Sequence, residues 1–474
     1  MYSLQPPLNR QPHCISENVL NSPRLLVTEK IMRAIKEGGF LFPQAKEIDL
    51  THPSLQLNTA IFSKILESCS PQLTHVKLNC SYHLKNWFEV IQNYAHLTSL
   101  SLKNWTRPIS QEVQCLLDPS LFPNFENLEL ELLDLCPIGK LKEPLQLLPK
   151  CPPLTSLSIG CTLRDLQTFL NNNLQLEHLE FRGALATDQD FEYIAQLSQL
   201  ESLKILFGYH LSDQTLQKIV NSCSHLKHLS FHQCRLLTQE GFKIISQLPA
   251  LESVTFDNCK NLTDLELQMT VDNCPELKHL TIKNSKGITS IECISKLSKL
   301  ESLTLGACPD LSDRELQMIV DGCPHLKHLV LDLHPLSSHS SPKAFPQLES
   351  LKLTFPFPEL TTILANGQNL KHLEIRIATL SLQEAVAIGN CHQLQRLAIR
   401  FIYDATNRGL TDEVVQAMLQ NKPELTELDI SGTFHPDLSE EALLAAFESC
   451  PALEKRTFLA WPDPKKTPFN LSFS

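Results

Sequence analysis

Hydrophobic residues recur along this chain in a fixed frame, Leu-x-x-Leu-x-Leu, with Ile, Val or Phe tolerated at the last two places. Clear copies are Leu200-Leu203-Ile205, Leu226-Leu229-Phe231, Leu251-Val254-Phe256, Leu277-Leu280-Ile282 and Leu300-Leu303-Leu305. The series runs from Ala45-Ile48-Leu50 to Leu453-Arg456-Phe458, seventeen copies with a mean period of about 25.5 residues. Numbered from the first Leu, apolar positions 4 and 6 alternate with polar 3, 5 and 7, the pattern of a strand with one buried face. The stretch that follows has helical spacing. Leu316, Ile319 and Val320 fall on one helix face. Ser312 with Glu315, and Thr263 with Glu266, are spaced as capping boxes, and Pro324 and Pro275 stand where a helix must stop. Each unit therefore predicts strand, turn, helix and return. One unit cannot bury its apolar face alone, whereas stacked units share a continuous core.

That period lies in the 20–29-residue window of leucine-rich repeats. The predicted fold is α/β: a leucine-rich-repeat solenoid, or horseshoe, with a parallel concave sheet and convex helices. Three regions follow: an N-terminal segment or cap at 1–41, partly helical (Ser22 to Gly38); the solenoid at 42–460; and a Pro-rich tail at 461–474. A second period overlies the first. "LKHL" recurs at 226, 277, 326 and 370, between copies of "LES" followed by Leu or Val at 200, 251, 300 and 348, which points to duplication of a repeat pair.

The repeat pattern, LSDxxLQxIVxxCPxLKHLxLxxC, resembles the cysteine-containing leucine-rich repeats of F-box/leucine-rich-repeat proteins, the substrate receptors of cullin-type (SCF) ubiquitin ligases. The likeness spans about residues 42 to 460. It implies a protein-interaction scaffold that recognises a partner protein on its concave face, with a role in ubiquitin-dependent degradation and a ligase adaptor as second partner. That role needs an adaptor-binding helix within 1–41, where no clear F-box is visible. Ribonuclease-inhibitor-like solenoids and the leucine-rich effectors of intracellular bacteria use similar repeats. A stand-alone binder, an inhibitor or an effector in a host cell, with no ubiquitin role, is the alternative.

Composition narrows the classes. Charged residues make up 20% and hydrophobic ones 42% of 474, a core-forming composition. A net charge of −11 argues against a nucleic-acid binder and favours a basic protein partner. No stretch is long and apolar enough for a membrane span, and no secretory signal is visible at the N-terminus. The sixteen Cys include no CxxC, and Cys223, Cys274 and Cys323 recur with the repeat. They read as thiols in a reducing compartment, the cytoplasm, or a host cytoplasm for an effector. No phosphate-binding glycine loop, serine elbow or HExxH motif occurs, so no enzyme, cofactor or metal is expected.

The exposed positions carry what remains. Position 2 alternates in sign, Glu201, Lys227, Glu252, Lys278, Glu301, Lys327, Glu349, Lys371, and predicts a ladder of ion pairs. Position 3 alternates His and Ser from His178 to His372. Histidines on alternate strands stand about 9–10 Å apart, too far to share a zinc ion. They read as inherited polar residues, or as a pH-responsive surface. Cys234, Cys259 and Cys308 fall in the repeat turn as structural thiols, so the triplet Cys308-Pro309-Asp310 reads as structure rather than catalysis. Position 8 turns apolar late in the chain: Leu333, Phe355, Ile377, Phe401. Either these side chains fold inward, or they form an exposed rim for a partner. The rim reading adds Arg376, Arg396, Arg400 and, from the loop at 403–409, Tyr403, since aromatic residues with Arg favour interface hot spots. A second loop is expected at 337–346.

Overall fold

The structure, a computed structural model, describes residues 22–27, 31–32, 35, 42–51, 59–69, 72–79, 90–105, 122–132, 154–160, 174–184, 186–307, 313–332, 346–354, 360–365, 367–401, 410–431, 438–453 and 455–459. It divides into two compact units, Met1–Leu211 with Lys218–Leu226, and Ser212–Gln217 with Lys227–Ser474. The first holds strands β1 (Arg24–Leu26), β2 (Glu47–Leu50), β3 (His75–Asn79), β4 (Ser99–Trp105), β5 (Asn127–Leu132), β6 (Ser156–Gly160), β7 (His178–Arg182) and β8 (Ser202–Leu206). The second holds β9 (His228–His232), β10 (Ser253–Asp257), β11 (His279–Lys283), β12 (Ser302–Gly306), β13 (His328–Asp332), β14 (Ser350–Leu353), β15 (His372–Ile377), β16 (Arg396–Phe401), β17 (Glu427–Ser431) and β18 (Lys455–Leu459).

Within each unit successive strands pair in parallel, with equivalent positions in register. Thus Ser253 lies beside both His228 and His279, and Ser302 beside both His279 and His328. Positions 1, 4 and 6 are sealed: Leu226, Leu229 and Phe231, then Leu251, Val254 and Phe256, expose at most 2% of their surface. Positions 3, 5 and 7 stand on the opposite, open face, as strand alternation requires. The chain is a leucine-rich-repeat solenoid by its own geometry.

Helices return the chain behind the sheet: α1 (Thr59–Glu67), α2 (Asp188–Glu192), α3 (Asp213–Ser222), α4 (Gln239–Ile245), α5 (Asp264–Asn273), α6 (Asp313–Gly322), α7 (Leu360–Leu364), α8 (Leu382–Gly389), α9 (Asp412–Leu419) and α10 (Glu440–Glu448). Some repeats carry 3₁₀ turns there, at Tyr193–Gln196, Glu292–Lys296 and Gly367–Asn369. The expected capping box closes on α5, where Glu266 accepts from the Thr263 backbone N–H at 3.1 Å and from its hydroxyl.

The segment expected to be helical from Ser22 begins otherwise. Arg24–Leu26 is a strand paired with β2, because Leu25 and Val27 are buried with period two. The described residues that follow, Ile31, Met32 and Ile35, are buried and helical, at helical spacing. The loops expected at 337–346 and 403–409 fall almost wholly outside the described residues, as do the tail at 461–474 and the triplet at 308–310.

Candidate functional site

Position 8 decides what the late repeats expose. In the middle repeats it ends the strand. Phe207, Gln233, Asn258, Asn284 and Ala307 all take left-handed backbone, with φ between 47° and 57°. The turn locks onto the next strand: Gln233 N donates to Asp257 O at 2.8 Å, and Asn258 and Asn284 repeat the bond one strand on. β15 and β16 instead run six residues, and alternation carries position 8 to the inner face. Ile377 is 6% exposed and Phe401 5%. The expected apolar rim is therefore corrected at both: these side chains belong to the core. Leu333, Phe355 and Tyr403 lie outside the described residues.

The three arginines do reach the open face. Arg376 stands exposed at position 7 of β15, in register with Arg400 on β16. Arg396 occupies position 3 of β16, beside His372 and Glu427. Arg396 and Arg400 border a hollow of about 350 Å³ that extends over β13 to β17, together with Lys352, His372, Glu374, Glu427 and Asp429, and Arg376 stands beside it as the register partner of Arg400. Its cause is local. Ala398 fills position 5 of β16 between Glu374 and Asp429, so a methyl group stands where neighbouring strands carry carboxylates.

Ion pairs consume part of the charge. Glu374 is shared by Lys352 at 3.0 Å and Arg400 at 3.5 Å, and Arg396 holds Glu427 at 2.7 Å. Asp429 Oδ1 and His372 Nδ1 are buried without a hydrogen-bond partner among the described residues. Burial, then the Arg396 guanidinium, push the His372 pKa below its usual value, so the ring faces the hollow neutral at pH 7.

A second hollow, about 360 Å³, lies on the open face of the first unit over β4 to β8. Its border is mostly small and polar, with Ser99, Asn127, Ser156, Ser158 and Ser202, and carries the Lys204–Glu180 pair at 2.9 Å.

One network resembles a catalytic arrangement. Ser230 Oγ lies 2.9 Å from His232 Nε2, and His232 Nδ1 lies 3.2 Å from Asp257 Oδ2. Asn284 Nδ2 donates to Asp257 Oδ1 at 2.9 Å. The connectivity orders the imidazole. The N–H groups of β10, however, lie in the sheet plane and are engaged on both sides, by β9 and β11. They offer no oxyanion hole to a reaction at Ser230.

The expected position-2 ladder is present as pairs. Lys278 bonds Glu252 at 2.7 Å, Lys371 bonds Glu349 at 2.8 Å, and Lys327 lies 3.8 Å from Glu301. The bonded lysines pull the Glu252 and Glu349 carboxyls below their ordinary range. The His/Ser row is in register as expected, and no group of three or more His, Cys, Asp or Glu among the described residues could hold a metal ion. Nine described cysteines are buried thiols. Those at the helix ends donate weakly to carbonyls one repeat upstream, Cys223 to Leu197 at 3.3 Å and Cys274 to Leu248 at 3.5 Å. Burial pushes Cys223 and Cys323 up to about 12, which leaves them unreactive at neutral pH.

Two features lacked a sequence prediction. Acidic residues at helix starts reach across repeats: Asp213 accepts from Thr238, Asp264 from Thr289 and Ser290, and Asp412 from Ser439. The recurring pairs Ser212-Asp213, Thr263-Asp264 and Thr411-Asp412 were the available signal. The other is Lys422, fully buried in the cysteine's place at a helix end.

No family model matches the chain. Among solved structures it is similar to internalin InlF of Listeria monocytogenes, at 17% identity, over 82% of each chain, with a TM-score of 0.33. It is also similar to a chain of the yeast Rad7–Elc1 complex, at 15% identity, over 69% of this chain and 83% of that one, with a TM-score of 0.42. A third likeness is to the leucine-rich-repeat protein LegL7 of Legionella pneumophila, at 16% identity, over 57% and 92%, with a TM-score of 0.36.

Proposed function

We propose that the chain is a protein-interaction scaffold that holds a partner protein against the open face of its second unit, at the hollow over Ala398. One observation carries this reading: charged side chains of both signs converge on the strand ladder around a space that no described residue fills. The proposal assigns the chain no reaction of its own. Its buried thiols fit a reducing compartment, the cytoplasm of its own cell or of a host.

The finer reading is that this scaffold is the substrate-recognition part of a cullin-type ubiquitin ligase. It rests on the cysteine-type repeat, and it places the adaptor on the N-terminal segment. Because β1 belongs to the sheet, a deletion that tests this must stop at residue 21. The experiment is tagged capture with mass spectrometry, using the full chain, the chain lacking 1–21, and the full chain with Ala398→Trp. Retention of a partner by the first two and its loss from Ala398→Trp is the expected result for the scaffold. Cullin and its adaptor, captured by the full chain and lost on deletion, are expected for the ligase role. A partner indifferent to Ala398→Trp would remove the hollow from the proposal.

A further inference from the structure

Position 7 of β15 and β16 places two arginines side by side. Arg376 and Arg400 are register partners on adjacent strands, about 4.8 Å apart along the sheet. Like charges directly opposite each other destabilise a strand pair. The fold does little to offset this one. Among the described residues Arg400 has only the distant oxygen of Glu374, 3.5 Å away, which Lys352 already engages at 3.0 Å. Among the described residues no carboxylate pairs with Arg376.

All the charged groups facing this pair from β13 to β17 bear on the balance. Lys352, Arg376, Arg396 and Arg400 are positive; Glu374, Glu427 and Asp429 are negative. Asp332, at position 7 of β13, is engaged by the Thr354 hydroxyl. His372 is neutral at pH 7. With Asp332 the four positive and four negative groups balance over this face, but two of the positive ones, Arg376 and Arg400, stand side by side, and Asp332 lies two strands from Arg376.

We propose that Arg376 and Arg400 form a carboxylate-binding site at the lip of the hollow, which accepts an Asp or Glu side chain from an acidic segment of the partner protein. The inference rests on the reading of this face as the partner surface, and it goes further by fixing the partner's local chemistry. Two guanidinium groups on neighbouring strands bring N–H donors within reach of one carboxylate, and an arginine fork can bind it in bidentate fashion. One carboxylate supplies the ion-pair partner that Arg376 lacks among the described residues. The space over Ala398 then admits the backbone that carries the acidic residue.

The test is fluorescence anisotropy on the full chain with three labelled peptides of one framework, bearing Glu, Gln or phosphoserine at the same two sites. The Glu peptide is expected to bind at least tenfold tighter than the Gln peptide. Arg376→Gln with Arg400→Gln should erase that preference, and Lys283→Gln, on the same face outside the hollow, should keep it. Arg376→Gln alone, at an exposed residue without an ion pair, should halve the preference or more and keeps the test readable if the double variant is less stable. A preference absent from the native chain, or surviving the double variant, overturns the site. Phosphoserine tenfold tighter than Glu overturns the carboxylate assignment. If the captured partner is lost with Ala398→Trp but kept by the double Gln variant, this site falls while the scaffold stands. If both variants keep the partner, both readings fall.

Discussion

Lys422 sits where other repeats place a cysteine, three residues before position 1, and it is fully buried. A buried ammonium is costly unless its hydrogen bonds are complete. Here they are: Nζ donates to the carbonyls of Ile388, Gly389 and Cys391 at 2.7–2.8 Å. Those carbonyls lie at and just beyond the C-terminus of α8, where intrahelical donors run out and the helix dipole favours a cation. Lys422→Ala should cost about 2–4 kcal/mol by stranding them, and Lys422→Cys, which restores a thiol donor, should cost less. Burial pushes the lysine from its usual 10.5 down to about 8. Below pH 8 folded and unfolded chains both hold the proton. Between about 8 and 10.5 only the unfolded chain does, so the stability gap widens with rising pH. Urea midpoints from pH 7 to 10 should climb for the native chain relative to Lys422→Met; parallel curves would show that the lysine does not titrate there. The Cys column was legible in the sequence because its residue repeats. Lys422 was not, since a lone lysine in an acidic surface composition reads as exposed until the preceding helix end is placed over it.

An element's boundary, rather than its residues, decided the largest correction. Strands β8 to β12, five residues each, are followed by a left-handed position 8, and Asn258 and Asn284 suit that backbone better than most residues. Ile377 and Phe401 are β-formers, and their strands simply continue, which turns the next side chain inward. Polarity along the sequence showed that position 8 changed; it did not show that the backbone changed with it. The strand, the inward frame and the capping box on α5 were legible because each is local. The caps from Asp213, Asp264 and Asp412 were not, because donor and acceptor lie about 25 residues apart and meet only once the repeats stack. Position 8 gives a test that separates core from rim. Phe401→Ala should lower stability by about 3–5 kcal/mol, as a buried aromatic does, with partner affinity per folded molecule unchanged. A variant that unfolds at the native midpoint but loses its partner would return Phe401 to the surface.

At the scale of the whole molecule, stability and charge are distributed differently. Stability is summed from neighbour interfaces, so no single repeat contains it. Charge is not uniform along the ladder: 52 acidic and 41 basic residues make the chain negative at long range, while Arg376 and Arg400 set two positive charges side by side at the lip of the hollow in the second unit. An acidic segment therefore meets repulsion first and attraction last. The two differ in reach. The Debye length falls from about 30 Å at 0.01 M salt to about 10 Å at 0.1 M, which removes most of the long-range field but little of a contact between guanidinium and carboxylate. Association of the Glu peptide, followed by stopped-flow fluorescence, should accordingly speed up from 0.01 to 0.1 M salt, and dissociation should quicken only above that range. A basic partner drawn by the acidic total would do the reverse, associating more slowly at every addition of salt. Slowing of the Glu peptide throughout would mean that the arginine pair governs the approach as well as the contact, and that the acidic total of the chain lies too far from this face to matter.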